Sequence, residues 1–104
     1  MVKRNLGILL KGMLQGHNYE EIILFGSRAR GDSSEKSDYD FMIVMKNNLI
    51  TREKIKLSSL LRKKLAKKGI DADLVIKSKD ELNYYRTKIG SVVREALKEG
   101  ITLW

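Results

Sequence analysis

The sequence LFGSRARGD, residues 24–32, and the sequence SDYDFMIVM, residues 37–45, decide what this chain can form. The first places a glycine-serine turn after an apolar run, and the second opens another apolar run with Asp38 and Asp40. Because side chains alternate along a strand, two acids one residue apart project to the same side of it. Such a pair repels unless a cation lies between the carboxylates. The spacing therefore predicts a divalent-metal site.

The glycine-serine turn itself, Gly26-Ser27, predicts a second kind of binding. If the turn opens a short helix, its unpaired backbone N–H groups and the positive end of the helix dipole suit phosphate. Arg28 and Arg30 could add positive charge against phosphate, and Arg28 is nearer the turn. Solvent exposure or pairing with nearby acids is the alternative for both arginines. An anion cradle beside metal carboxylates predicts metal-assisted chemistry on a nucleoside triphosphate.

A third acid, Asp73, lies inside the apolar run 72–76. An ionised carboxylate in a buried strand costs several kcal/mol unless it is paired or metal-bound. Beside Asp38 and Asp40 on a neighbouring strand, Asp73 would complete a three-carboxylate cluster. Two Mg²⁺ ions bound there could clamp a triphosphate and activate an acceptor hydroxyl for in-line attack on the α-phosphorus. The alternatives are that Asp73 points into water at the strand edge, or that Asp71 is the third acid.

The apolar periodicity predicts the order α-β-β-α-β-α, which favours an α+β fold with a small mixed sheet of three to four strands backed by helices. Strands are predicted at about residues 21–25, 39–45 and 72–77, with 101–104 as a short final strand. The first helix is predicted at about residues 3–15. A second is capped by Thr51 and stopped by Gly69, and Ser78 with Glu81 forms the capping box of a last helical region that ends at Gly100.

Each of the last two helical regions carries apolar residues predicted to face inward. On the second helix these are Ile55, Leu57, Leu60, Leu61 and Leu65. On the last region they are Ile89, Val92, Val93, Ala96 and Leu97.

The composition describes one small globular domain over residues 1–104, because no linker, repeat or low-complexity tract divides the chain. Its longest apolar run is about five residues, too short to cross a membrane. The chain has no cysteine, which excludes disulfides and thiolate metal sites and favours the cytoplasm. Its net charge of +8 predicts either attraction to a polyanion or acidic partner, or simply a solvated basic surface. One such basic stripe on the second helix comprises Arg52, Lys56, Lys63 and Lys67.

Taken together, a Gly-Ser pair, ten residues, an Asp-x-Asp and a separate strand Asp resemble the signature of the polymerase-beta-type nucleotidyltransferase superfamily. The stretch LFGSRARGD…SDYDFMIV most resembles its minimal nucleotidyltransferases, and the resemblance extends to residues 94–101. It implies that Gly26 and Ser27 bind the triphosphate and that Asp38 and Asp40 ligate both metals. It further implies that Asp73 completes the metal site and assists the attacking hydroxyl.

Minimal members of that family act as antitoxins to HEPN-domain ribonuclease toxins. The resemblance therefore implies a Mg²⁺-dependent protein that forms a complex with such a toxin and transfers AMP from ATP to a toxin tyrosine. A chain this small spends nearly all its residues on the catalytic sheet, so the acceptor is expected on another molecule. Two alternatives stay open. The chain could neutralise its partner by contact alone, or it could be an RNA-directed nucleotidyltransferase, which only the net charge supports.

Overall fold

The computed structural model describes residues 3–34 and 36–104 and confirms the predicted α+β class. Its helices are α1 (Lys3–Met13), α2 (Ser27–Arg30), α3 (Thr51–Ala66), α4 (Lys79–Tyr85) and α5 (Val92–Glu99). Its strands are β1 (Tyr19–Phe25), β2 (Tyr39–Met45), β3 (Ala72–Ser78) and β4 (Ile101–Thr102). None of these helices combines the length and the apolar character needed to cross a bilayer.

The strands form one mixed sheet in the order β3-β2-β1-β4. Strand β1 runs antiparallel to β2 and to β4, whereas β2 and β3 run parallel. The carboxyl end of β1 and the amino ends of β2 and β3 therefore meet at one edge of the sheet, which we call the site edge. The Gly-Ser turn and the three predicted acids all lie there.

The sheet is covered by helices on both faces. Buried leucines of α1 and α3, including Leu6, Leu10 and Leu61, pack against one face. Val93 and Ala96 of α5 pack against the other. Strand β2 lies at the centre, and its residues from Phe41 to Met45 are at most 3% exposed. Burial on both faces makes β2 a firm support for Asp40, the second residue of the strand.

Several helix boundaries differ from the prediction by one or two residues. The first helix ends at Met13 instead of residue 15. Helix α3 is capped by Ile50, not by Thr51, and the Ile50 N–H donates to the carboxylate of Glu53 at 3.2 Å. This bond satisfies the N–H of the capping residue, and among the described residues no side chain caps the first turn of α3. Gly69 follows the end of α3 with a φ of +77°, as a helix-stopping glycine should.

The last helical region divides in two, which the sequence did not predict. The predicted Ser78–Glu81 capping box opens α4, with Glu81 N–H donating to the Ser78 hydroxyl at 3.1 Å. Helix α4 then stops at Tyr85, and α5 starts afresh where the Ser91 hydroxyl accepts the Arg94 N–H at 3.1 Å.

Five residues predicted to face inward are exposed instead. A four-stranded sheet offers each helix a narrow strip, so a single stripe of each is buried: Leu57, Leu61 and Leu65 on α3, and Val93 and Ala96 on α5. The helix residues outside those stripes are Ile55 (63% exposed), Leu60 (40%), Val92 (40%) and Leu97 (38%), and Ile89 (88%) lies in the turn between α4 and α5.

Candidate active site

The Gly-Ser turn joins β1 to α2 at the site edge. Gly26 has a φ of +73°, which disfavours any residue with a side chain, and a Cβ there would collide with the carboxylate of Asp40. Its carbonyl accepts the N–H groups of Ala29 and Arg30, which starts α2. Ser27, the first residue of α2, is half-buried beside this contact. The turn therefore lies directly against the Asp40 carboxylate, and only glycine allows that approach.

The strand register brings two of the predicted acids together. Asp40 pairs with Phe25 on one side and with Asp73 on the other, across neighbouring strands. Residues paired in this way project to the same face of a sheet, so the two carboxylates are neighbours. The two acids Asp38 and Asp40 were predicted to lie on one face of the same strand. In the structure Asp38 precedes β2, so only Asp40 lies in that strand. Both Asp38 and Asp73 are exposed, whereas Asp40 is half-buried.

Burial and the charges at the site edge shift the pKa of Asp40. Burial raises the pKa of the Asp40 carboxyl, and the carboxylates of Asp73 and Asp38 raise it further. Arg30 opposes this rise in the Asp40 pKa, and Glu99 adds to it. The carboxylate thus lacks enough positive charge around it, which a bound cation would supply. Oxygen donors of this kind are those that Mg²⁺ prefers.

The three acids do not form a ready-made metal cage. Across residues 3–34 and 36–104, no three carboxylate or imidazole groups are close enough together to hold one ion. Asp40 and Asp73 fit a divalent cation by chemistry and by register, with Asp38 close enough to affect Asp40. The predicted metal ligation by Asp38, Asp40 and Asp73 stays a prediction.

Neutralising Asp40 is expected to stabilise the fold. The raised pKa means that ionised Asp40 destabilises the folded state above its folded pKa, and that this effect disappears once pH falls below the unfolded value. Asp40→Asn should therefore gain about 0.5–2 kcal/mol at pH 7, with the gain vanishing in acid. Thermal melts between pH 3 and 7 measure it. Asp71→Asn, an exposed acid of the same edge, is the control, and an Asp40→Asn protein no more stable than this control would contradict the expectation.

Arg28 and Arg30 are both engaged within the chain. The Arg28 guanidinium donates to the Ser37 carbonyl at 2.8 Å and 3.2 Å and stacks over the Tyr39 ring at 4.2 Å. Arg28 thus holds the loop that delivers Asp38, and its predicted contact with phosphate stays a prediction. Arg30 pairs with the acids around it, as the alternative interpretation expected.

Glu99 is the site residue that sequence reasoning missed. It ends α5, yet its carboxylate accepts the Gly26 N–H at 3.1 Å and also binds Arg30. Gly100 follows it, and a Cβ at Gly100 would collide with Ile23 of β1 and with the Ala96 carbonyl. The sequence held one signal, because an acid at a helix carboxyl end opposes the helix dipole and needs another partner.

A cleft of about 490 Å³ opens beside the acids, between α3 and the start of β3. One wall carries the acids Asp38, Asp71 and Asp73, and the other carries Arg62 and Lys63 of α3. Of the predicted basic stripe on α3, Lys63 faces this cleft, whereas Lys56 lines a separate cavity near His17. The stripe is therefore not one continuous surface, and Arg62, which the stripe omitted, belongs to the site edge.

The site combines a glycine-serine turn with paired acids on adjacent strands, the arrangement that the sequence predicted for a nucleotidyltransferase. The sequence profile described as polymerase beta nucleotidyltransferase matches residues 9–103. This chain belongs to that family. A Methanocaldococcus jannaschii protein provisionally named a protein adenylyltransferase is 40% identical over 55 residues, covering 53% of this chain and 50% of that protein. The match thus spans about half the length of that curated relative.

Solved structures share the fold. A provisionally named nucleotidyltransferase from Sulfolobus solfataricus has a TM-score of 0.66 at 22% identity, over 98% of this chain and 78% of the other. A toxin-antitoxin complex with AMP-PNP has a TM-score of 0.64 at 23% identity, over 99% of this chain and 73% of the other. A complex of a tri-AMPylated Shewanella oneidensis HEPN toxin with its MNT antitoxin has a TM-score of 0.59 at 19% identity, over 99% of this chain and 72% of the other. At these identities the likeness confirms the nucleotidyltransferase fold.

Proposed function

We propose that this chain is the antitoxin of a HEPN toxin, and that it transfers AMP from ATP to a tyrosine hydroxyl of that toxin with Mg²⁺. The observation that carries the proposal is the register of Asp40, which pairs with Phe25 before the Gly-Ser turn and with Asp73 of β3. The Gly-Ser turn, which we propose binds phosphate, thereby lies next to two acids on adjacent strands. The AMP-PNP and AMPylated HEPN toxin in the similar complexes support this choice of nucleotide and partner.

The reaction is a displacement at the α-phosphorus of ATP. The oxygen of the acceptor hydroxyl forms a bond to that phosphorus, the bond to the bridging oxygen breaks, and pyrophosphate leaves. Magnesium held by Asp38, Asp40 and Asp73 would supply the positive charge that stabilises the transferring phosphate. Ser27 would donate a hydrogen bond to a phosphate oxygen, and the Asp73 carboxylate would take the proton of the attacking hydroxyl.

The cleft beside Asp73 is the proposed approach for the acceptor. It is large enough for an aromatic side chain, and the acid that would receive the proton lies on its wall. Arg62 and Lys63 on the opposite wall are exposed, and no carboxylate among the described residues forms an ion pair with either. Because the facing wall carries the carboxylates of Asp38, Asp71 and Asp73, the cleft presents charges of both signs and favours a polar acceptor segment around the tyrosine.

Intact-mass spectrometry tests the proposal. With ATP and Mg²⁺, the wild-type chain should add about 329 Da for each AMP to its cognate HEPN protein. Peptide mapping should then place the added mass on a tyrosine. A toxin that is neutralised with no change of mass would support the contact-only antitoxin. An added RNA that gains nucleotides while the toxin stays unmodified would support the RNA-directed enzyme.

A further inference from the structure

The carboxylate of Glu99 connects the carboxyl end of α5 to both ends of α2. Its Oε1 accepts the Gly26 N–H at 3.1 Å and a proton of Arg30 Nη1 at 3.0 Å, and its Oε2 lies 2.9 Å from the same Nη1. Gly26 directly precedes α2 and Arg30 ends it. One side chain, 73 residues away from Gly26 along the chain, therefore holds the whole turn.

Arg28 and Glu99 both hold α2 in place. The helix has four residues, none of them is buried, and Ala29 packs at the margin of the core. A segment with so few apolar contacts opens readily unless polar contacts hold it. Arg28 donates to the Ser37 carbonyl from the middle of the helix, whereas Glu99 accepts the Gly26 N–H next to Ser27. The side chain of Glu99 is only 23% exposed, so its hydrogen bonds to the turn are partly shielded from water. These bonds therefore help to set where Ser27 lies relative to Asp40.

We propose that Glu99 is a positioning residue for nucleotidyl transfer. By accepting the Gly26 N–H and anchoring Arg30, it sets the turn at the close approach to Asp40 that only glycine permits. Ser27 is then held at a fixed distance from the acids that flank the transferring phosphate. The effect on transfer depends on the proposed function, whereas the anchoring of the turn does not.

Three variants separate this role from general stability. Glu99→Ala removes both contacts. Glu99→Gln keeps an oxygen that can accept the Gly26 N–H but loses the charge that holds Arg30. Glu95→Ala, an exposed acid one turn earlier on α5, is the matched control. The measurements are kcat and KM for ATP with Mg²⁺, the Tm, and amide hydrogen exchange at Gly26 in the protein without nucleotide.

We expect Glu99→Ala to lower kcat by about 10- to 100-fold, because small misplacements of a positioning group have costs of that order. Its KM for ATP should change by less than about threefold, since the turn still binds phosphate but in poor alignment. Exchange at Gly26 should become faster in Glu99→Ala and stay slow in Glu99→Gln. Glu99→Gln should recover most of the lost kcat, and Glu95→Ala should match the wild type in every measurement.

Three results would overturn the positioning role. The first is a Glu99→Ala protein with a lower KM for ATP, which would show that this carboxylate competes with phosphate. The second is a loss of activity equal in Glu99→Ala and Glu99→Gln and matched by an equal loss of Tm. The third is unchanged exchange at Gly26. If Glu99→Ala does not fold, Glu99→Gln and Arg30→Ala test the positioning role instead. Both variants keep an oxygen at position 99 that accepts the Gly26 N–H, so exchange at Gly26 should stay slow in both, and fast exchange in both would overturn the role.

A wild-type chain that transfers no AMP would contradict the proposed function alone. Exchange at Gly26 would still report whether Glu99 anchors the turn, so the two failures are distinguishable.

Discussion

Replacing Asp38 and Asp40 together by asparagine is expected to reduce AMP transfer by at least about a thousandfold, because a bound metal contributes several kcal/mol to such a transition state. Binding of the HEPN partner should survive. Two acids are a small part of an interface that buries on the order of 800 Å² on each side. The double variant should therefore separate catalysis from contact.

The measurement is the mass of the partner after incubation with ATP and Mg²⁺, together with a pull-down of the complex. Asp80→Asn, an exposed acid at the start of α4, serves as the control and should transfer AMP normally. If the double variant modifies its partner as fast as the wild type, the acids at the site edge are not the catalytic centre. If the double variant neutralises the toxin, and neither the variant nor the wild type changes the mass of the toxin, contact alone explains the neutralisation.

Gly26→Ala is expected to be the most damaging single substitution in the turn. Two effects add at this position: a φ of +73° with a ψ of −160°, a conformation essentially confined to glycine that costs other residues about 1–3 kcal/mol, and the collision with Asp40. Gly31→Ala tests a milder, left-handed conformation without a collision, because Gly31 has a φ of +83° and a ψ of +10° and open space around its missing Cβ. Both variants should lower the Tm, and Gly26→Ala should also abolish the thermal shift given by ATP with Mg²⁺.

Thermal melts with and without the nucleotide check this pair. Gly31→Ala should keep the nucleotide-induced shift, since its methyl group would point into open space away from the acids. Equal melting temperatures and equal nucleotide shifts in the two variants would mean that the close approach of Gly26 to Asp40 has no role in binding.

Local patterns were enough to predict the sheet and the elements at its site edge. Strand β2 was predicted with the bounds that the structure shows, because a short apolar run between turn residues is typical of a buried strand. The capping box of α4 was predicted because both of its partners are three residues apart. The placement of Asp73 beside Asp40 was also predicted, and the strand register confirms it.

The remaining features depend on contacts that no local pattern encodes. Glu99 joins the site through a hydrogen bond to a residue 73 positions away. The exposure of Ile55 follows from the width of the sheet, which limits how much of each helix can be covered, whereas Ile89 is exposed because it lies in the turn between α4 and α5. The division of the last helix depends on where α5 must start in order to pack Val93 against β1 and β2. Apolar periodicity predicts which face of a helix turns toward the core, but it does not predict how much of that face the neighbouring sheet buries.

The hydrogen bond between Gly26 and Glu99 can form only after Glu99 has been synthesised. Chains grow at roughly 5–20 residues per second, so Glu99 is added about 4–15 s after Gly26. During that interval the Gly26 N–H has only water as its acceptor, even when the strands around it have begun to pair. Each newly made molecule therefore gains this anchor of the turn only after α5 has been synthesised and has docked on the sheet.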